Sequence, residues 1–490
     1  MDEVVQVHQI AHIEHRLMVR VLAPAISMAV SFLLFLFGID FPLNLRVRGD
    51  AYGYLEIASR LSDFTSIYQY SGDRAIGFPL IEFLIHGVIS WFFSSVNLTQ
   101  WVNAICVVLY TVHMTASWLF SKWMKSTLVI KSEYSGYFMF FFLATYPAMV
   151  GYTTTPLSDT LAIDFMLLAL VFFDSALNNE RRYGWFTLSI SAAVFLGFSI
   201  LVRPALILGL AIALTVCGGI SICVGTRRIQ VTIGTIIVAS ILILAPYLAN
   251  CKSTYGSYCL QSPKTFDANL SIQEGLRGAR ISWSKIAKET EKLPMIDDSL
   301  MYNSYYKECN IEGLFGLQRL SLTGCLLARP LSAPPFVVKK WIGLFDHFRF
   351  TPYLENLTPP WLRLLSRVYG AFAWLGLSLS FLIFLKFKET AAKSNLQMLL
   401  TQNISLVLLA SCSIVLLAQH TVLHTEDRYG FPIVPICAAL AIAQLEHFLA
   451  LYRKYGWRRL VWRVTYCLLA LAMFAYQTTS WDQALIAQIG

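Results

Sequence analysis

The stretch Leu17–Ile39, LMVRVLAPAISMAVSFLLFLFGI, is followed within a few residues by RVRGDAYGY, Arg46–Tyr54. The first stretch is apolar apart from Arg20, Ser27 and Ser31. A helix rises 1.5 Å per residue, so about 20 apolar residues cross the roughly 30 Å hydrocarbon layer of a bilayer. Leu17–Ile39 is long enough, and no small-residue cleavage site follows it, so it reads as a retained span and not as a removed signal. The second stretch is its opposite. Arginines, glycines and Asp50 crowd against the end of the span.

That alternation recurs. Further apolar runs lie near 76–95, 101–121, 136–154, 160–177, 185–202, 205–223, 229–249, 368–385, 399–419, 431–449 and 460–478. Across 490 residues, 56% belong to the AVILMFWYC set and 14% are charged, and the mean hydropathy is +0.58. A soluble domain carries about 25% charged residues, so this chain has too few to clothe a water-facing surface. An ordinary soluble enzyme, a disordered chain and a disulfide-rich secreted module are excluded. A transmembrane barrel would show short alternating strands, not long apolar runs. The expected fold is an all-α polytopic membrane protein, a bundle of about 11–12 transmembrane helices with juxtamembrane helices on its outer face. Three parts are expected: an N-terminal transmembrane module (1–249) with a first outer loop at 40–75, a large outer segment (250–367), and C-terminal transmembrane helices (368–490).

The net charge of +9 points to orientation, not to nucleic acid, because Lys and Arg gather in cytoplasmic loops. Five basic clusters, around Lys122, Arg181, Arg227, Lys386 and Arg453, all fall inside if the N-terminus does. Only one crossing is then allowed between the first span and Lys122. The 101–121 run is the better choice, since 76–95 holds Pro79, Glu82 and His86 and ionisable groups in lipid are expensive. Glu82 and His86 share one helix face, and 76–95 reads as a helix lying in or dipping into the outer leaflet; the alternative is that it spans fully and 136–154 does not. Alternation gives eleven crossings and puts residues 40–75, 155–159, Arg203-Pro204, 250–367 and 420–432 on one outer face. Phe336–Phe350, aromatic and basic, reads as a helix at headgroup level. Ten cysteines form no metal-binding spacing; four of them, Cys251, Cys259, Cys309 and Cys325, share the outer segment, where a disulfide is possible and the pairing is left open.

The candidate chemistry sits on that face. Asp50 follows the first span, Asp73 precedes the 76–95 run, and Asp159 heads another span. Convergent carboxylates can bind a cation or take a proton from a nucleophile; each can also simply occupy a helix start. Arg203, in Leu-Val-Arg-Pro, and Arg428, followed by Tyr429, stand at outer turns, where a guanidinium fork suits a phosphate. Snorkelling to lipid headgroups is the structural alternative. His420 and His424, four residues apart, read as structural.

The order of short motifs resembles a known family. An acidic residue and Tyr follow the first span; then come Arg-x-x-Gly-Phe-Pro-Leu (Arg74 to Leu80), Tyr146-Pro147, Pro-x-x-Asp (Pro156 to Asp159), Leu-x-Arg-Pro (Leu201 to Pro204) and Asp-Arg-Tyr-x-x-Pro (Asp427 to Pro432). This is similar to the GT-C superfamily of integral membrane glycosyltransferases, nearest the protein O-mannosyltransferase and lipid A aminoarabinose transferase group. The resemblance implies a polyprenyl-phosphate sugar as donor and a glycan, lipid or protein as acceptor, used on the outer face. It implies Asp50 as catalytic base, with Asp159 and Asp73 orienting it or sharing a divalent cation (Mg²⁺ or Mn²⁺, held by Asp50 and Asp159). It also implies Arg203, Arg428 and Tyr429, with Lys339 and Lys340, around the donor phosphate. Where the family often has Asp-Glu, this chain has Asp50-Ala51, so the second carboxylate is absent. A flippase or transporter of lipid-linked saccharides, or a polymerase of them, is the other function to weigh. A bacterial inner membrane, with the site facing the periplasm, is the expected location.

The topology is open to test. Single cysteines placed beside Asp50, Asp159 and Arg428 are expected to react with an impermeant maleimide from outside, and those beside Lys122 and Arg453 only after permeabilisation. Opposite labelling of positions 50 and 159 sinks the shared-face arrangement.

Overall fold

Apolar runs in lipid have no water to satisfy their backbone, so they close their hydrogen bonds internally as helices. In a computed structural model of the chain, every regular element among the described residues is an α-helix or a short 3-10 turn. The described residues are 2–262 and 330–489, apart from 64–65, 68–69, 71, 73, 128–131, 348–349, 351–357, 392–403, 424–426 and 458–459. The chain is an all-α, multi-pass integral membrane protein.

The first span lies in α1 (Asp2–Ile39). Two short helices follow, α2 (Leu43–Arg46) and α3 (Asp50–Arg60). Gly49 joins them with φ 51°, a left-handed value that favours glycine. Next is α4 (Gly77–Ser90), whose 14 residues reach only about 21 Å at the helical rise, too little to cross. The non-spanning helix expected at 76–95 is therefore present. It sits against protein and not simply in lipid: Glu82 is fully buried, and His86 meets the ring of Trp101 on α5 (Leu98–Thr127) edge-on at 4.9 Å.

The run at 136–154, expected as one crossing, is instead broken into α6 (Glu133–Ala144) and α7 (Pro147–Thr153). Pro147 brings no N–H to the ladder and pushes the residue before it out of the helical region; Tyr146 is extended, φ −63° and ψ 109°. All seven residues of α7 are buried.

The other expected crossings fall on α8 (Ser158–Asn178), α9 (Arg182–Val202), α10 (Ile207–Val224) and α11 (Arg227–Tyr255), and, beyond α12 (Ala333–Phe345), on α13 (Pro360–Ala391), α14 (Ile404–Val422), α15 (Val434–Tyr455) and α16 (Val461–Ile489). Eight helices among the described residues are long and apolar enough to cross a membrane. The most extensive packing joins α8 to α9; α10 lies on α14, α13 on α15, and α9 on α11.

The helices alternate in direction, which sorts their ends. At one end the Arg228 guanidinium donates to the carbonyls of Ala176, at 3.0 Å, and Asn179, and Ser405 donates to Asp174 at 2.6 Å. This is the end of Arg181, Arg227 and Arg228, the basic end. The start of α8 and the ends of α9, α11 and α14 gather at the opposite end. There α12 was expected to lie at headgroup level. It is instead wedged into the bundle, with Lys340, Ile342, Leu344 and Phe345 buried. Close backbone contact is the reason. The Leu344 carbonyl oxygen occupies the space that a Cβ on Gly430 would need, and the Phe345 carbonyl does the same to Gly370 on α13. Buried Asp346 is neutralised by Arg367 at 2.8 Å.

Residues 263–329, most of the segment expected at 250–367, lie outside the described residues, with Cys309 and Cys325. Of the four cysteines of the expected segment, Cys251 and Cys259 form a disulfide.

A Gly430→Val substitution is expected to push the 3-10 turn Asp427–Gly430 off α12. Overpacking of this kind costs about 1–3 kcal/mol, so the thermal unfolding midpoint of the detergent-solubilised protein is expected to fall. An unchanged midpoint contradicts the close contact.

Candidate active site

Gly49 and the start of α3 decide where Asp50 stands, and the start of α8 does the same for Asp159. Both carboxylates lie in the first turn of a helix, where the positive end of the helix dipole favours them. The helix-start and functional readings of these residues thus coincide. Arg203 follows the last residue of α9. Pro204 behind it ends the helix, and Arg203 is extended, φ −143° and ψ 91°, as a residue before proline prefers. Arg428 and Tyr429 come from the 3-10 turn Asp427–Gly430 that Gly430 docks onto α12. Arg74 stands just before α4, whose Gly77 rides directly on the backbone of Leu201 and Val202 at the end of α9.

The result is a chain of alternating charges. Arg74 Nη2 lies 2.8 Å from Asp50 Oδ1, and Arg428 Nη1 lies 2.9 Å from Asp50 Oδ2. The same Arg428 nitrogen is 3.7 Å from Asp159 Oδ2, and Arg203 pairs with Asp159 Oδ1. Aromatic faces support the cations. Tyr429 lies under Arg203 (4.9 Å) and Arg428 (5.7 Å), and Tyr54 under Arg74 (5.1 Å). Tyr54 and Ser158 share a hydrogen bond of 3.0 Å, and the His420 ring stacks on Tyr429 at 5.2 Å. The two carboxylates differ in access: the Asp159 side chain is 2% exposed and that of Asp50 25%. Burial alone lowers the pKa of Arg74, but the charges and hydrogen bonds of Asp50 and Tyr54 outweigh it and raise the value, so the guanidinium stays charged. Breaking a buried pair by removing one partner costs about 3–5 kcal/mol, which makes Arg203 structurally important to the buried Asp159.

These charges line a cavity of about 600 Å³. Leu206, Ile207, Leu208, Leu416 and Leu423 supply an apolar wall of it. Ile207 and Leu208 are 42% and 50% exposed, so this wall continues onto the flank of the bundle. Cys259, Leu260 and Gln261 close a further side. The Cys251–Cys259 disulfide ties that wall to the end of α11, and Ser262 N–H donates to the Gly72 carbonyl at 3.0 Å.

Five expected site residues therefore meet: Asp50, Asp159, Arg203, Arg428 and Tyr429. Asp73 and His424 lie outside the described residues. Lys339 and Lys340 do not line the cavity. Lys340 is buried beside it and donates through Nζ to the Leu423 carbonyl at 2.6 Å. Sequence reasoning missed Arg74 as a site residue, although it opens the Arg-x-x-Gly-Phe-Pro-Leu element. It also missed Tyr54, Ser158 and Gln419, and set His420 aside as structural although it lines the cavity. Inside the bundle, His113 Nδ1 lies 3.1 Å from Asp164 and Nε2 lies 3.2 Å from the Leu143 carbonyl oxygen, a buried pair that no local motif announces.

No family model and no curated protein matches this chain. Among solved structures it is similar to the archaeal oligosaccharyltransferase AglB from Archaeoglobus fulgidus, solved in complex with an inhibitory peptide and a dolichol-phosphate. The likeness has 13% identity and a TM-score of 0.43, and it covers 94% of this chain and 56% of AglB. The chain thus spans little more than half the length of that protein.

Burial pushes the Lys340 ammonium down to about 7 from its usual 10.5. The unfolded chain then binds more protons than the folded one between those values, so stability rises with pH through that window. The thermal midpoint of the wild type is expected to climb from pH 7 to pH 9, and the same scan of Lys340→Met to be flatter. Parallel profiles refute the lowered Lys340 pKa.

Proposed function

We propose that the chain is a membrane glycosyltransferase of the GT-C type. It moves a sugar from a polyprenyl-phosphate donor to an acceptor hydroxyl on the outer, periplasmic face of a bacterial inner membrane. One observation carries the reading: a single cavity is lined both by three guanidiniums and two carboxylates and by aliphatic side chains that continue onto the flank of the bundle. That lining suits an amphiphile with an anionic head. The phosphate meets Arg428 and Arg203, and the isoprenoid lies along Leu206, Ile207, Leu208 and Leu416. The Cys251–Cys259 disulfide beside the cavity supports an oxidising, non-cytosolic compartment, as do the basic residues at the far end of the bundle.

The chemistry follows from the leaving group. The acceptor hydroxyl gives its proton to Asp50 as its oxygen bonds to the anomeric carbon. The bond from that carbon to the phosphate oxygen breaks, and polyprenyl phosphate departs as an anion that needs no protonation. Positive charge near the departing oxygen and a base near the acceptor are what the step requires. Direct displacement inverts the anomeric carbon. Asp159, deep and doubly paired, orients Arg203 and Arg428. The acceptor is a glycan, lipid or protein hydroxyl.

The decisive assay is purified protein with polyprenyl-phosphate sugars. Release of free polyprenyl phosphate is expected, and Asp50→Asn is expected to lower turnover by about 10²–10⁴-fold. Lipid movement across the bilayer without release instead identifies a flippase, and full activity in Asp50→Asn removes the base assignment.

A further inference from the structure

A divalent cation shared by Asp50 and Asp159 is the arrangement that carboxylates on this face first call to mind. Mg²⁺ and Mn²⁺ want several oxygen ligands in a compact shell. The residues here do not fit one. Arg428 Nη1 already stands between the two carboxylates, 2.9 Å from Asp50 Oδ2 and 3.7 Å from Asp159 Oδ2. The other oxygen of each is taken as well, Asp50 Oδ1 by Arg74 and Asp159 Oδ1 by Arg203. A dication placed there would face three guanidiniums at close range. Among the described residues, no three His, Cys, Asp or Glu side chains converge on a metal seat.

We propose that Arg428 stands where a bridging cation would, that Arg74, Arg428 and Arg203 form an anion seat, and that the Asp50 carboxylate is its internal occupant, displaced when a phosphate binds. The ligand class is a phosphomonoester or phosphodiester anion. The inference deepens the glycosyltransferase reading and rests on it for the nature of the lipid, but not for the seat itself.

The difference between the two carboxylates supports the assignment. Asp159 is buried and gripped from two sides, so it stays as a fixed counter-charge. Asp50 is on the cavity wall, within reach of solvent, and bridges two of the three guanidiniums that border the open volume. Arginine forks bind phosphate and carboxylate through the same paired N–H geometry, so a phosphate can take over the donors that Asp50 now holds. The exchange has a consequence for the chemistry. In the resting site Asp50 is neutralised by two arginines and is a poor base. Once the phosphate has claimed them, the carboxylate is released beside the place where the acceptor must arrive. Donor binding thus precedes and creates the base. Arg74, which sequence reading did not single out, is a binding residue in this scheme.

The sign of one substitution separates this from a metal bridge. Full-length, chelator-washed protein in nanodiscs is titrated by calorimetry with inorganic phosphate and, separately, with a polyprenyl phosphate. Removing the competing charge in Asp50→Asn is expected to tighten phosphate binding about tenfold, as loss of one near charge implies. Arg74→Gln is expected to weaken it by about the same factor, and added Mg²⁺ or Mn²⁺ to change neither. Arg74→Gln also guards against a failure of Asp50→Asn to fold. Equal or weaker binding in Asp50→Asn, or binding that appears only with the added cation, overturns the proposal. If inorganic phosphate follows the expected pattern while polyprenyl phosphate gains nothing over it, the lipid-donor reading fails and the anion seat stands.

Discussion

One nitrogen atom organises the polar end of this molecule. Arg428 Nη1 pairs with Asp50 and approaches Asp159, and through them it links α3, α8 and the turn before α15. Charges in a low-dielectric site are tolerable only when paired. Asp159, almost wholly buried, cannot stand without Arg203 and Arg428. Much of the surrounding architecture can be understood as the means of holding those guanidiniums still. Gly430 lets the Arg428 turn sit on the α12 backbone, Pro204 holds Arg203 extended, and Gly77 lets the Arg74 segment ride against the end of α9.

The broken helix α6–α7 and the wedged α12 serve the same end of the bundle. The Tyr146 hydroxyl hydrogen-bonds to the His347 imidazole just after α12, and buried Asp346 is fastened by Arg367. A straight span through 136–154 would lack the turn that brings Tyr146 to His347. Lys340 belongs to this framework also. Its Nζ donates to the Leu423 carbonyl just after α14, a few residues before Arg428. It bears on the site through the backbone of Leu423 and does not line the cavity.

Charge and greasiness meet in one cavity because helix ends and helix flanks meet there. The ends of α9 and α14 supply Arg203 and His420; the flanks of α10 and α14 supply Leu208 and Leu416. The disulfide-tied residues Cys259, Leu260 and Gln261 complete the lining beside these charges.

What the sequence determined by itself was the helical class, the approximate spans and which loops share an end of the bundle. These follow from run length, from the scarcity of charge and from where Lys and Arg fall, all local quantities. It also marked Asp50, Asp159, Arg203 and Arg428, because an ionisable residue at the edge of an apolar run has few cheap places to go. Only the tertiary structure decided that these residues pair with one another. It broke the span at Pro147, sank α12 into the bundle, recruited Arg74 and His420, and buried His113 against Asp164. Each of those depends on which helix faces meet, and a contact between residues hundreds of positions apart leaves no trace in the local pattern of either.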